Sequence, residues 1–152
     1  MPSLLWLVLL PLWGCSAGST TSQYVVEQPV YQYERVSAQE EMLGLVREAP
    51  RDFFVPAAGD GPVWGRVAIF FREYLGVERP SRVENSLSSS AILSGKASGG
   101  SYAYTVERTP HGTGFQYKII CSGPNPSHGE LAAKNLARFL RDGNLERSLV
   151  VR

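Results

Sequence analysis

The chain of 152 residues contains few of the side chains that build metal sites and disulfide frameworks, because it has only two cysteines and two histidines. A closed metal site typically needs four ligands, and these residues are too few and too scattered to supply them. A disulfide-rich scaffold is excluded for the same reason. The sequence therefore predicts no metal and no cofactor.

Charge of one sign is also lacking. The chain has 15 basic and 14 acidic residues and a formal net charge of +1, with no block of like charges. Nucleic-acid binding calls for a basic patch or stripe, so a nucleic-acid partner is not expected. Since 43% of the residues are hydrophobic and 19% are charged, the composition is that of an ordinary globular domain with a core of its own.

No hydrophobic run is long enough to cross a bilayer, which takes about 20 apolar residues. The uncharged segment from Leu4 to Trp13 has ten residues, which fits the apolar region of a signal peptide. It is followed at once by Gly14-Cys15. A small residue and then a cysteine after a short apolar segment resembles the lipobox of bacterial lipoproteins, and this resemblance covers residues 1–16.

The resemblance implies that residues 1–14 are a signal peptide, cleaved before Cys15, and that Cys15 carries lipid on its sulfur and on its new amino group. Two or more acyl chains hold a protein stably on a membrane, whereas one does not. Ser16, where an aspartate would favour inner-membrane retention, implies the outer membrane, with the protein facing the periplasm. A general secretory leader followed by a chance cysteine is the alternative.

Two segments precede the predicted domain. Residues 15–23 are small and polar, which predicts a flexible tether. Residues 24–36 contain Tyr24, Tyr31 and Tyr33 among valines, which favours an extended backbone. This lead-in is interpreted either as an edge strand or as a recognition segment that pairs with a partner's sheet edge. Its three tyrosines are the predicted partner-binding residues.

Helical signals follow at three places. Ser37 and Glu40 have capping-box spacing, and apolar residues at helical intervals continue to Ala49 before Pro50. Residues 50–62 are predicted to be a loop whose Phe53 and Phe54 plug the core edge. A largely apolar core helix is predicted from Val63 to Leu75.

The rest of the chain predicts strands and a last helix. Residues 82–94 are interpreted as one half-buried strand with Val83, Leu87, Ala91 and Leu93 on its buried side. Alternation over 102–107 and 115–121, around a turn at 109–114, predicts an antiparallel hairpin. A final helix is predicted from Ser127, capped with Glu130, to a stop at Gly143; the tail could add a short edge strand.

The predicted order is therefore α-α-β-β-β-α in a single α+β domain over residues 37–152. Its antiparallel sheet of three to four strands, with the helices on one face, makes a two-layer sandwich.

The predicted function is a lipid-anchored, non-catalytic interaction or assembly module of an envelope or secretion-type complex, with a protein partner in the cell envelope. Contact is predicted first through the tyrosines of the lead-in and then through the exposed strand surface. One alternative is a small thiol-dependent enzyme that uses Cys121 with His128. However, Cys121 is in phase with the apolar face of its strand, where a buried thiol is inert. Another alternative is a small-ligand-binding lipoprotein that uses Phe53 and Phe54.

Overall fold

The structure is a computed structural model that describes residues 30–152. The predicted signal peptide (1–14), Cys15, the tether (15–23) and Tyr24 lie outside the described residues. The described elements are α1 (Val30–Glu48), β1 (Asp52–Pro56), α2 (Ala57–Ile69), β2 (Ser81–Asn85), β3 (Ser90–Lys96), β4 (Ala103–His111), β5 (Gly114–Ser122) and α3 (Pro126–Asp142). A π-helical turn, Phe70–Tyr74, extends α2, and a 3-10 turn, Arg147–Leu149, lies in the tail.

The five strands form one antiparallel sheet in the order β1-β5-β4-β3-β2. Strand side chains on one face pack against α2, its π-helical extension and α3 in a single hydrophobic core. This core includes Phe53, Leu93, Val106, Tyr117 and Ile119 from the strands, and Val67, Phe70, Phe71, Leu136 and Leu140 from the helices. The α+β class is confirmed, but the sheet has five strands and the order is α-β-α-β-β-β-β-α.

The first helix begins earlier than predicted. Helix α1 starts at Val30, so the prediction of an extended backbone is wrong for residues 30–36, and Tyr31 and Tyr33 lie on a helix. Ser37 and Glu40 lie inside this helix and are not its N-terminal cap. In the sequence, Pro29 directly precedes Val30, and proline suits a helix start because its missing N–H has no helical partner there.

The predicted loop at 50–62 instead contains β1 and the first turns of α2. Phe53 and Val55 point into the core while Phe54 points out, which is the alternation of a half-buried strand. The sequence pattern did not predict this strand, because it is only five residues long and has a proline near each end. Helix α2 follows without a loop and tolerates Pro62 in its second turn.

The predicted single strand at 82–94 is two strands, β2 and β3, joined by a turn at 86–89. The Asn85 side chain accepts hydrogen bonds from the Leu87 N–H (3.0 Å) and the Ser88 N–H (3.3 Å), an Asx turn that reverses the chain. Ser89 completes the turn with φ +52°. The predicted burial of Ala91 and Leu93 is confirmed, but Val83 and Leu87 are exposed.

The second hairpin is confirmed as β4 and β5, with a turn of only two residues, Gly112 and Thr113. Gly112 has φ +57°, a conformation that glycine adopts without strain. Gly143 ends α3 with φ +79°, as predicted, but the helix begins at Pro126 with Asn125 as its cap. The predicted strand in the tail is wrong, since residues 143–152 form no strand.

Candidate interaction surface

Within residues 30–152, no helix layer covers the second face of the sheet. Directly paired residues in an antiparallel sheet point to the same side, and the register aligns one row across all five strands on this face. The row is Val83, Ile92, Glu107, Lys118 and Asp52. We call this side of the sheet the open face.

The open face exposes large hydrophobic side chains. Phe54 is 45% exposed, Ile92 is 39% exposed and Val83 is 63% exposed. The charged side chains Glu107 and Lys118 separate them across the middle strands. Hydrophobic groups bordered by polar ones are typical of a surface that contacts another protein.

Strand β2 forms one edge of the sheet, and all five of its residues are exposed. In the part of the chain that the structure describes, its one strand neighbour is β3. Arg82 and Glu84 pair with each other along the strand, and Leu87, at the tip of the β2–β3 hairpin, is 99% exposed. An edge strand with backbone groups available for pairing is a template for another strand.

A partly buried polar cluster attaches this hairpin to the core. Arg108 Nη1 donates to Asp60 Oδ2 at 2.9 Å, and the Tyr117 hydroxyl donates to Asp60 Oδ1 at 2.6 Å. Arg108 Nη2 also donates to the backbone oxygen of Ser89 at 3.2 Å. The cluster therefore joins α2, β4 and β5 to the β2–β3 turn.

The Arg108 guanidinium lies between two aromatic rings, 4.8 Å from the ring centre of Trp64 and 4.6 Å from that of Phe115. Burial, followed by the hydrogen bond to Asp60, raises the pKa of Tyr117 far above its ordinary value. Its hydroxyl therefore stays protonated and keeps donating at physiological pH. Asp60, the Tyr117 hydroxyl and both terminal nitrogens of Arg108 are paired within the domain, while Arg108 Nε is buried without a hydrogen-bond partner among the described residues. The cluster is therefore a structural support of the β2–β3 turn.

Cys121 and His128 do not form a nucleophile and its base. Burial raises the pKa of the Cys121 thiol to about 11, although a hydrogen bond with the Tyr104 hydroxyl opposes this effect. His128 is exposed in the first turn of α3, and within residues 30–152 no hydrogen bond joins it to Cys121. A reactive cysteine needs a lowered pKa, whereas the pKa of Cys121 is raised.

Phe53 and Phe54 point to opposite faces of β1. Phe53 stacks on Tyr117 in the core, with ring centres 5.3 Å apart, whereas Phe54 approaches His111 edge-on at 6.3 Å. The two rings therefore cannot line one ligand pocket. The prediction that both plug the core holds for Phe53 alone.

None of the individual residues predicted for lipidation or partner contact belongs to a described strand. Cys15 and Tyr24 are not among the described residues, while Tyr31 and Tyr33 are placed by their backbone on α1. The exposed strand surface was predicted as the second contact region, but Val83 was placed on the buried side because β2 was merged with β3 into one strand. The run Asn85 to Ser90, rich in turn-forming residues, was the signal that could have separated them.

Over the described range, no three His, Cys, Asp or Glu side chains are grouped as a metal site would require. None of the described helices combines the length and the apolar character needed to cross a membrane. The chain matches no protein-family model, no curated protein and no solved structure.

Proposed function

We propose that this protein is a lipid-anchored, non-catalytic module of the bacterial cell envelope, held on the outer membrane at Cys15 and facing the periplasm, where it binds a protein partner of an assembly or secretion-type complex. The observation that carries the proposal is the open face, which presents Phe54, Ile92 and Val83 to solvent beside a well-packed core. The leader that ends in Gly14-Cys15 supports the anchor.

The chemistry of the described residues favours binding over catalysis. The Cys121 thiol has a raised pKa, and the Asp60–Arg108–Tyr117 cluster satisfies its own charges inside the domain. The open face offers a broad surface of mixed character, which is how proteins recognise other proteins. Tyr31 and Tyr33 on α1 remain proposed as a second region of partner contact.

The anchor is tested by replacing Cys15. In bacterial cells that produce the full chain, we expect the wild-type protein to sediment with membranes and its N-terminal peptide to carry lipid by mass spectrometry. The variant Cys15→Ala should be recovered in soluble fractions, because the acylation site is lost. The chain provides a matched control, since Cys121→Ala removes its one other cysteine and should stay on the membrane.

A bare Cys15 in native material, or a Cys15→Ala protein that sediments like the wild type, would remove the anchor from the proposal. The open face would then be tested only by the crosslinking experiment from position 92.

Two isoleucines of nearly equal exposure test the open face. Ile92 lies on the open face and is 39% exposed, while Ile69 lies on α2, on the helical side, and is 37% exposed. A photo-crosslinking amino acid at position 92 should capture a discrete envelope protein in living cells, and the same amino acid at position 69 should not. Ile92→Lys should weaken the captured complex at least tenfold, while Ile69→Lys should leave it unchanged.

Equal capture from both positions, or none at position 92, would refute the open face as the binding surface. Capture from position 31 in the same experiment would assign the contact to α1 instead.

A further inference from the structure

The sequence of β2 is self-complementary when two copies run antiparallel. Its order is Ser81-Arg82-Val83-Glu84-Asn85, with opposite charges at equal distances on either side of Val83. If two such strands pair with Val83 opposite Val83, Arg82 of each copy lies opposite Glu84 of the other. Opposite charges on facing residues stabilise a strand pair, whereas like charges destabilise it.

The edge is also sterically available within the described residues. All five residues of β2 are exposed, and the strand pairs with β3 alone. Apart from the strand ladders, no described backbone hydrogen bond involves residues 81–85. The bond from Arg108 to the Ser89 oxygen holds the adjacent turn, so the strand is presented in a fixed position.

We propose that β2 is a homodimerisation edge, which pairs antiparallel with β2 of a second copy of this chain about a two-fold axis at Val83. The two five-stranded sheets then join into one. Because Val83 lies on the open face, the open faces of both copies become continuous across the junction. A partner bound there would contact a surface twice as wide.

The opposite edge does not offer the same pairing. A symmetric pair of β1 strands about Phe54 would set Asp52 opposite Pro56, with no charge complement. Pro56 has no N–H to donate, and proline at a strand edge discourages pairing. With one self-complementary edge per copy, the assembly closes at two copies and does not grow into a fibre.

The pairing is expected to be weak in dilute solution. A five-residue edge buries less than the roughly 1,200 Å² of a standard stable interface. Confinement of both copies to one membrane would raise their effective concentration, so this part of the inference rests on the proposed anchor. Membranes that hold the full chain are therefore the right material for the test.

Single cysteines introduced into β2 test the register of the proposed strand pair directly. In the Cys121→Ala chain, Val83→Cys places two thiols on directly opposite residues, whose Cα atoms are about 5 Å apart and within disulfide range. Arg82→Cys is the matched control, because a two-residue offset separates position 82 from its copy by about 8 Å, beyond that range. Mild oxidation with diamide should give at least tenfold more dimer from the first variant.

Charge reversal tests the complementarity without a new thiol. In the Val83→Cys, Cys121→Ala chain, Arg82→Glu alone or Glu84→Arg alone should reduce the dimer yield at least fivefold, because each creates like-charge pairs across the junction. The double change Arg82→Glu, Glu84→Arg should restore it, because the swapped charges again face their opposites. The three β2 side chains that are changed are exposed in the monomer, and parallel thermal unfolding checks that each variant is folded.

Equal dimer yields from Val83→Cys and Arg82→Cys would overturn the proposed register. Failure of the double reversal to restore the yield would overturn the charge complementarity on which it depends. Oxidative dimers in the Cys121→Ala parent would instead reveal an unlipidated Cys15, which separates a failure of the anchor from a failure of the edge.

Discussion

Cys15 and Cys121 are the two cysteines of the chain, and different roles follow from their positions in the sequence. Cys15 follows an apolar leader in the sequence, and its proposed role depends on accessibility to an acylating enzyme. Cys121 is half-buried on β5, and burial raises the pKa of its thiol to about 11. Since the thiolate is the reactive species, this raised pKa makes Cys121 a poor nucleophile at neutral pH.

The Cys121 pKa predicts slow alkylation with a steep dependence on pH. A pKa two units above the ordinary value of 9.0 leaves about a hundredfold less thiolate at pH 7. In the Cys15→Ala chain, Cys121 is the one remaining thiol. Iodoacetamide should react with it about a hundredfold more slowly than with a small free thiol. The rate should rise about tenfold per pH unit up to about pH 11 and then level off.

His128→Ala is the control for this measurement and should leave the alkylation rate unchanged. Fast labelling at pH 7 that His128→Ala abolishes would instead indicate a catalytic thiol, the first alternative raised by the sequence.

At the scale of elements, periodicity predicted the parts of the chain where the pattern runs without interruption. The alternation around Tyr104 and Tyr117 gave the β4–β5 hairpin, and Gly143 gave the end of α3. Both rest on local rules, namely period-two burial and the left-handed conformation of a helix-ending glycine. Their bounds differ from the structure by only a few residues.

Strand β1 and the first turns of α2 were missed because they depend on information that is not local. Strand β1 is recognisable through its pairing with β5, distant in the sequence. The first turns of α2 contain two glycines and Pro62, and the bonds from Asp60 to Arg108 and Tyr117 tie them to the sheet. Tertiary contacts thus override weak propensity there. The exposure of Val83 was mispredicted for a different reason, because β2 was not separated from β3 at the turn.

The start of α3 gives a direct comparison of the predicted cap with the observed one. The Asn125 side chain accepts hydrogen bonds from the N–H groups of Ser127 (3.0 Å) and His128 (3.2 Å). Asn125→Ala should lower the free energy of unfolding by about 1 kcal/mol. Ser127→Ala, at the position that the sequence pattern favoured, should change it by less than about 0.5 kcal/mol.

Chemical denaturation of the two single variants measures both values. A larger loss for Ser127→Ala than for Asn125→Ala would mean that the helix begins at Ser127 in solution.

At the scale of the whole molecule, the C-terminal tail closes the side of the core opposite the open face. The buried Asn135 side chain donates to the Glu146 oxygen at 2.8 Å and accepts from the Glu146 N–H at 3.0 Å. The Val151 N–H donates to the Tyr104 hydroxyl at 3.0 Å. Polar side chains inside the core thus fix a segment that has no regular strand or α-helix, while the open face keeps its hydrophobic groups exposed.

The two core tyrosines predict how the stability of the whole domain depends on pH. Tyr104 and Tyr117 are fully buried, and burial is the main cause that raises the pKa of each above its ordinary value of 10.0. In the unfolded chain they ionise near pH 10, while in the folded protein they stay neutral. Their contribution to stability is therefore complete below about pH 10 and is lost progressively above it, by about 1.4 kcal/mol per pH unit for each tyrosine.

Tyr104→Phe isolates one of these contributions. At pH 7 the variant should be less stable than the wild type by about 1 kcal/mol, because the Val151 N–H loses its acceptor. Above pH 10 its free energy of unfolding should fall less steeply, because phenylalanine has no hydroxyl that ionises in the unfolded chain. The stability curves of the variant and the wild type should therefore converge. Tyr117→Phe should show the same flattening through its own lost hydroxyl. Denaturation series between pH 7 and 11.5 measure these slopes, and parallel curves for wild type and both variants would mean that the tyrosine hydroxyls already ionise in the folded domain.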